Sequence, residues 1–172
     1  MNIPVLETER LLLRGFCETD LDDVAAIFSD EQVTRHLVLT AKPVDKEGSH
    51  SIIVRALDQW RSQGFGPWAA EERSTGSVIG RIGLNYLEGW PAGEVGWTLG
   101  RNWWGQGYAT EGARAAMKYA FEILSWTDIV SVIHPKNTRS IAVAARLGHE
   151  LRHTWERDGI ELLIYGQKNP TL

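Results

Sequence analysis

Three segments follow one another without a break between Glu94 and Leu124, and their order restricts this chain to few architectures. Glu94 to Leu99 reads as a strand, and a glycine-bearing loop, Trp103-Trp104-Gly105-Gln106-Gly107-Tyr108-Ala109-Thr110-Glu111, comes next. The helix after it has the clearest period in the sequence. Ala109, Ala113, Ala116, Met117, Ala120, Phe121 and Leu124 fall on one face, with Glu111, Arg114, Lys118 and Glu122 opposite. The small residues on that face suit close packing on a sheet. Glycines let the backbone approach a ligand closely, and the free N–H groups of a helix start form an anion site, so a phosphate-bearing ligand is implied. Two glycines also make an ordinary tight strand-to-helix turn, so the rest of the sequence must decide. A dinucleotide fingerprint would need a third glycine where Thr110 stands, and a P-loop would need Lys followed by Ser or Thr. Neither pattern is present.

The remaining chain supplies the elements around this unit. Arg10 to Arg14 reads as a strand, and Thr19 and Asp20 offer N-caps for a helix with Leu21, Val24, Ala25 and Phe28 on its apolar face. A second helix carries Ile53, Ala56, Leu57 and Trp60. Trp68 to Glu72, Ser77 to Tyr86 and Glu94 to Leu99 form an antiparallel meander, separated by turn signals. After the central helix come a buried strand over Ile129 to Ile133, a helix over Asn137 to Leu147 closed by Gly148, and a hairpin turning at Asp158-Gly159. The order predicts a mixed α/β sheet with flanking helices.

At 172 residues the chain fits one domain, and no repeat, linker or low-complexity tract divides it. Cys17 is the single cysteine, so neither an intrachain disulfide nor a thiolate metal site is expected, and a reducing cytoplasm is the simplest location. No apolar run approaches the ~20 residues of a membrane span, and the start Met-Asn-Ile-Pro-Val lacks the pattern of a signal peptide. A net charge of -4 argues against sequence-independent nucleic-acid binding and mildly favours a cationic partner. Among the eight tryptophans, Trp68, Trp90 and Trp97 lie on or between the strands of the meander. Core packing is the simpler role for them, and an aromatic lining for a cationic amine the alternative.

Trp104-Gly105-Gln106-Gly107-Tyr108-Ala109-Thr110-Glu111 resembles the phosphate loop of the GNAT acyltransferase superfamily, Gln/Arg-x-x-Gly-x-Gly/Ala. Trp104 departs from the Gln or Arg of that signature. The same departure is common in the Rim-like branch, the ribosomal-protein N-terminal acetyltransferases and their relatives, whose loop often reads Trp-Gly-x-Gly-Tyr-Ala-Thr-Glu. The likeness extends over nearly the whole chain, through Glu7-Thr8-Glu9-Arg10-Leu11, Ile79-Gly80-Arg81-Ile82-Gly83-Leu84, Glu94-Val95-Gly96-Trp97 and His134-Pro135-Lys136-Asn137-Thr138-Arg139-Ser140. It implies an α/β (α+β) fold with a mixed, mostly antiparallel sheet and a splayed central strand pair. It also implies acetyl-CoA as cosubstrate, no metal, and transfer of the acetyl group to a primary amine, on a small molecule or a protein N-terminus. Pairing of two copies is implied as well, because related proteins often dimerise.

From the resemblance, the pantetheine arm pairs with the splayed edge at Trp97, Thr98 and Leu99. The pyrophosphate lies on the N–H groups of Gln106, Gly107, Tyr108, Ala109 and Thr110, and Trp104, Gly105, Asn137 and Ser140 also contact CoA. A protonated amine, with a pKa of roughly 10, must lose a proton before it attacks a thioester. Glu94, at the place where several family members carry a catalytic Glu, is the first candidate base, with Glu71 and Glu72 behind it. The tyrosine that many members carry seven residues after the Asn is replaced by Ala144, and the Rim-like branch points instead to Ser140 as the acid. Asn137 and Ser140 also fit simple helix-cap chemistry. His134 reads as a loop residue rather than a base. Two rival functions remain: a nucleotide-dependent transferase, which lacks the expected Lys or metal-binding pattern, and a non-catalytic acyl-CoA-binding module, which would not need Glu94.

Overall fold

A computed structural model describes residues 2–38, 41–86 and 88–170. Eight strands form one sheet in the order β1-β2-β3-β4-β5-β6-β8-β7. They are β1 Leu6–Glu7, β2 Leu11–Arg14, β3 Pro67–Glu72, β4 Val78–Asn85, β5 Glu94–Leu99, β6 Asp128–Ile133, β7 Glu150–Arg157 and β8 Ile160–Lys168. The helices are α1 Leu21–Phe28, α2 Glu31–Thr34, α3 Lys46–Gln63, α4 Tyr108–Glu122 and α5 Thr138–Leu147. Every pairing is antiparallel except β5 with β6. The mixed, mostly antiparallel sheet expected from the sequence is therefore present.

Alternation along the strands divides the sheet into two faces. Ile82, Leu84, Val95 and Leu99 pack with Ala113, Ala116 and Ala120 of α4 on one face. A Cβ at Gly112 would lie 2.4 Å from Ile82 Cδ1, so the small-residue stripe of α4 is what lets helix and sheet approach. Ala69 and Val78 meet Val24, Ile27 and Phe28 of α1 and Ile53 and Ala56 of α3 on the other face. Trp68 belongs to the core. It is fully buried, its Nε1 donates to Pro4 O at 2.8 Å, and it packs edge-on against Trp60 and Tyr119. The closing hairpin turns at Asp158-Gly159 with positive φ at both residues, as the Asp-Gly pair predicts.

One local expectation is corrected. Asp20 occupies the N-cap position of α1 without capping it. Its carboxylate instead takes two 2.8 Å bonds from Arg14 and one from the Cys17 N–H, and the charge-assisted pair with Arg14 holds it away from the amides of α1. The short elements β1 and α2 were not anticipated, since two and four residues are too few to show a period.

His149, immediately after the Gly148 C-cap of α5, is 5% exposed, and neither ring nitrogen has a hydrogen-bond partner among the described residues. Burial, aided by the nearby charge of Arg152, pushes its pKa down to about 4. Between its ordinary value of 6.5 and about 4, the unfolded chain binds a proton that the folded chain refuses, so stability falls as pH falls through this window. The loss should approach about 3 kcal/mol. His149→Leu should flatten this acid limb, so that melting temperatures at pH 7 and pH 4 differ less than in the wild type. An unchanged difference would count against a neutral buried histidine.

Candidate active site

The strand pair β5–β6 opens as it leaves Glu94. Among the described residues its only register pair is Glu94 with Val130, supported by Val130 N–H to Gly93 O at 2.9 Å. Beyond it, Ser131 Oγ donates to Val95 O at 2.8 Å, so a side chain replaces the ladder. No register pair joins Trp97 to Leu99 with β6, which leaves alternate backbone groups of that edge available to an extended ligand.

The opening leads to a groove of about 760 Å³. Trp97, Thr98, Leu99, the run Trp104 to Thr110, Asn137 and Ser140 all line it. Gly107 is the N-cap of α4 with φ +88. Glu111 N–H, bonded to Gly107 O at 3.0 Å, is the first in the helix to reach a carbonyl one turn back, so the N–H groups of Tyr108 to Thr110 lack an intrahelical acceptor. Nothing lies within 4 Å of a Cβ placed at Gly105, which leaves open space at the loop surface. This geometry fits a pyrophosphate bound through backbone donors.

The loop is held from the far end of the chain. Arg10 Nη1 donates to Gln106 O at 2.9 Å, and its guanidinium lies 4.2 Å from the Tyr108 ring centre. Glu111 in turn accepts from Thr8 Oγ1, Arg10 N and Arg10 Nε at 2.6–2.8 Å. The Thr8–Arg10 motif thus braces the start of α4. Trp104 Nε1 donates to Leu99 O at 2.8 Å, tying loop to strand, and Arg139 stacks over the Trp104 ring at 4.2 Å.

A second cavity, of about 210 Å³, lies on the sheet face toward α3. It shares His36, Leu37, Trp97, Thr98, Asn137 and Ser140 with the groove, so the two spaces meet at these residues. Glu94 lines it and is 7% exposed. Its carboxylate accepts from Val132 N at 3.2 Å and from Asn85 Nδ2 at 3.0 Å. Burial raises its pKa to about 7, against those two hydrogen bonds and the charge of Arg81, which act downward. Such a carboxyl exchanges protons near neutral pH.

Other sequence candidates fall elsewhere. Glu71 is ion-paired with Arg14 at 2.6 Å, and Glu72 accepts from Tyr108 Oη and Thr75 Oγ1. Neither lines either cavity. Asn137 is the N-cap of α5, its Oδ1 accepting from Ser140 N at 3.2 Å, while Ser140 sits at the meeting of the two spaces. Trp90 and Trp97 line the smaller cavity, and Trp68 does not. His134 stacks on His36 with ring centres 5.1 Å apart at the cavity wall. His36, Arg81 and Asn85 were not expected in the site. No local signal marks them; for Arg81 and Asn85 the only clue is even spacing on the strand that precedes Glu94. Among the described residues no cluster of His, Cys, Asp or Glu could hold a metal ion, and no helix is long and apolar enough to cross a membrane.

A splayed strand edge and an anion-cradle geometry in one groove, joined to a second cavity that holds a buried carboxyl, fit an acyl-CoA-dependent acyltransferase. The chain belongs to the GNAT acetyltransferase family: the sequence model of the Acetyltransferase (GNAT) domain matches residues 10–150. The family's general reaction, acetyl transfer from acetyl-CoA to an amine, is the reaction of this enzyme. A crystal structure of an acetyltransferase from Agrobacterium tumefaciens is 32% identical with a TM-score of 0.86, covering 98% of this chain and 96% of that one. YoaA of Bacillus subtilis, named an uncharacterized N-acetyltransferase, is 28% identical over 86% of this chain and 83% of its own. RimL, a ribosomal L7/L12 alpha-N-protein acetyltransferase in complex with coenzyme A, shares the fold at a TM-score of 0.80 and 16% identity, over 96% of this chain and 98% of that one.

Proposed function

We propose that acetyl-CoA lies in the larger groove with its pyrophosphate on Gly105 to Thr110, its pantetheine arm along Trp97 to Leu99, and its thioester where the two cavities meet. The acceptor amine enters from the smaller cavity. Glu94 removes a proton from the ammonium, directly or through water, and the neutral nitrogen forms the C–N bond as the C–S bond breaks. Ser140 protonates the departing thiolate and is reprotonated from solvent, and the amide nitrogen releases its extra proton to solvent. The observation that supports this reading best is the buried Glu94 carboxyl in a cavity that joins the glycine-loop groove. At about 210 Å³, the cavity is below the ~300–1,000 Å³ of drug-sized ligand sites, which favours a small acceptor or the end of a polypeptide.

Mixing the protein with acetyl-CoA and a panel of small amines and peptide N-termini, with free CoA followed by its thiol and products by mass, tests the assignment. Acetylated amine in step with CoA release is the expected result. CoA binding with no acetylated amine from any panel member would leave a binding module instead.

Ser140→Ala should lower turnover at saturating acetyl-CoA more than it lowers CoA affinity, by about tenfold. The effect is small for acid catalysis because a thiol of pKa near ~8.5 already leaves well. Wild-type turnover in this variant would remove Ser140 from the mechanism.

A further inference from the structure

The cavity around Glu94 carries positive charge that proton removal from an amine does not use. Arg81 lines it from β4, in register opposite Thr98. Residues 81, 83 and 85 share that face, and Asn85 stands opposite Glu94, so Arg81 and Glu94 serve the same space from neighbouring strands. The guanidinium lies over the Phe28 ring, 5.6 Å from its centre. Among the described residues it has no hydrogen-bond or ion-pair partner.

Arg81 is half-buried and cannot shed its charge, so its five N–H donors are left to solvent and are available to a ligand. Other arginines here hold carboxylates: Arg10 holds Glu111, Arg14 holds Asp20, and Arg152 holds Asp128. Arg55 lines the same cavity and spends its Nε on the carbonyl of Ser51, within its own helix. Burial and Arg55 both work against the Arg81 charge, and Glu94 works for it. Glu94 is itself pushed up to about 7, so its negative charge only partly offsets two guanidiniums.

Resting on the reading of this cavity as the acceptor site, we propose that the acceptor is a small amino acid carrying amine and carboxylate on one molecule, with Arg81 binding the carboxylate. A guanidinium presents paired N–H groups that match a carboxylate in a bidentate arrangement, which a lysine cannot reproduce. Thr98, opposite Arg81, and Glu94 are four residues apart on β5, about 13 Å along the strand, a separation that the lengths of an arginine and a glutamate side chain can narrow to the span of a small zwitterion. The cavity volume of about 210 Å³ agrees with a ligand of that size.

The test compares glycine and larger α-amino acids, β-alanine and γ-aminobutyrate with their amides, as acetyl acceptors for wild type, Arg81→Gln and Arg81→Lys. At least one amino acid should exceed its amide in kcat/KM by about 10- to 10²-fold, the usual worth of a charge-assisted hydrogen bond. In Arg81→Gln that ratio should collapse toward one through a rise in KM, with Arg81→Lys between. Calorimetric binding of the preferred amino acid to the CoA-loaded protein should weaken in step, and retained CoA affinity shows that the variants fold. Equal turnover of acids and amides, or an equal loss on both in Arg81→Gln, would overturn the carboxylate site while leaving the acetyltransferase reading intact. Arg81-dependent binding of amino acids with no acetyl transfer to any amine would do the reverse.

Discussion

Glu94→Gln should slow acetyl transfer by about 10²- to 10⁴-fold at neutral pH, the usual worth of a positioned general base, while acetyl-CoA affinity stays near wild type. The carboxyl lies in the smaller cavity, outside the glycine-loop groove, so removing its charge does not touch the glycine loop. In the wild type, kcat/KM should rise as pH increases through about 7, because only the ionised carboxylate accepts a proton. The variant should lack that limb and recover part of its rate at high pH, where more acceptor is already neutral. Rate loss without recovery would make Glu94 a positioning residue; near-normal turnover across neutral pH would remove it from the chemistry.

The same substitution has a stability signature of opposite sign. Burial raises the Glu94 pKa from the ordinary 4.5 to about 7. Between these values the folded chain keeps a proton that the unfolded chain has released, so stability declines as pH rises through the window. The decline approaches about 3 kcal/mol and is complete above about pH 7. Glu94→Gln escapes it, less whatever the amide loses at Asn85 or Val132, each of which donates to the carboxylate. It should therefore melt above wild type at pH 8, with the gap closing by pH 4. A less active, more heat-resistant variant at pH 8 is the combined outcome that a carboxyl buried for function predicts.

Gly107→Val should weaken acetyl-CoA binding by roughly 10- to 10²-fold, corresponding to one charge-assisted hydrogen bond of about 1.5–3 kcal/mol. From sequence alone, valine costs little folding stability only if the local backbone suits it. The structure decides against that, because φ is +88 and a Cβ would lie 3.3 Å from Arg10 Nη2, the residue that braces the loop. Valine must either adopt a strained left-handed conformation, at about 1–3 kcal/mol, or rotate the peptide that presents the donors. Gly64→Val separates the two effects. Gly64 caps α3 with φ +76, a Cβ placed there would have nothing within 4 Å, and the residue lies outside both cavities. It should lose comparable melting temperature and keep CoA affinity. Equal CoA affinity in Gly107→Val by calorimetry would move the pyrophosphate away from this loop.

Features encoded within one turn or one helix were legible in the sequence. The alanine stripe of α4, the Asn137 and Gly148 caps of α5 and the Asp158-Gly159 hairpin follow from short periods and from the φ preferences of single residues. The glycine loop was legible for the same reason, since a strand end, two glycines and a helix start are contiguous. Contacts between distant segments were not. The Arg10–Glu111 brace spans 101 positions, and nothing in either neighbourhood announces the other. Asp20 had two local options, capping α1 or pairing with Arg14, and only the packing of β2 beside the helix start decided between them. The site divides along the same line. The sequence by itself determined a glycine-bearing loop at a helix start on an α/β unit, because backbone conformation there depends on neighbours in the chain. The tertiary structure decided that β5 and β6 part after one register pair, that Glu94 is buried at the opening, and that Arg81 and Asn85 share its cavity. Strand order, register and desolvation are properties of the assembled sheet, so no single stretch of residues carries them.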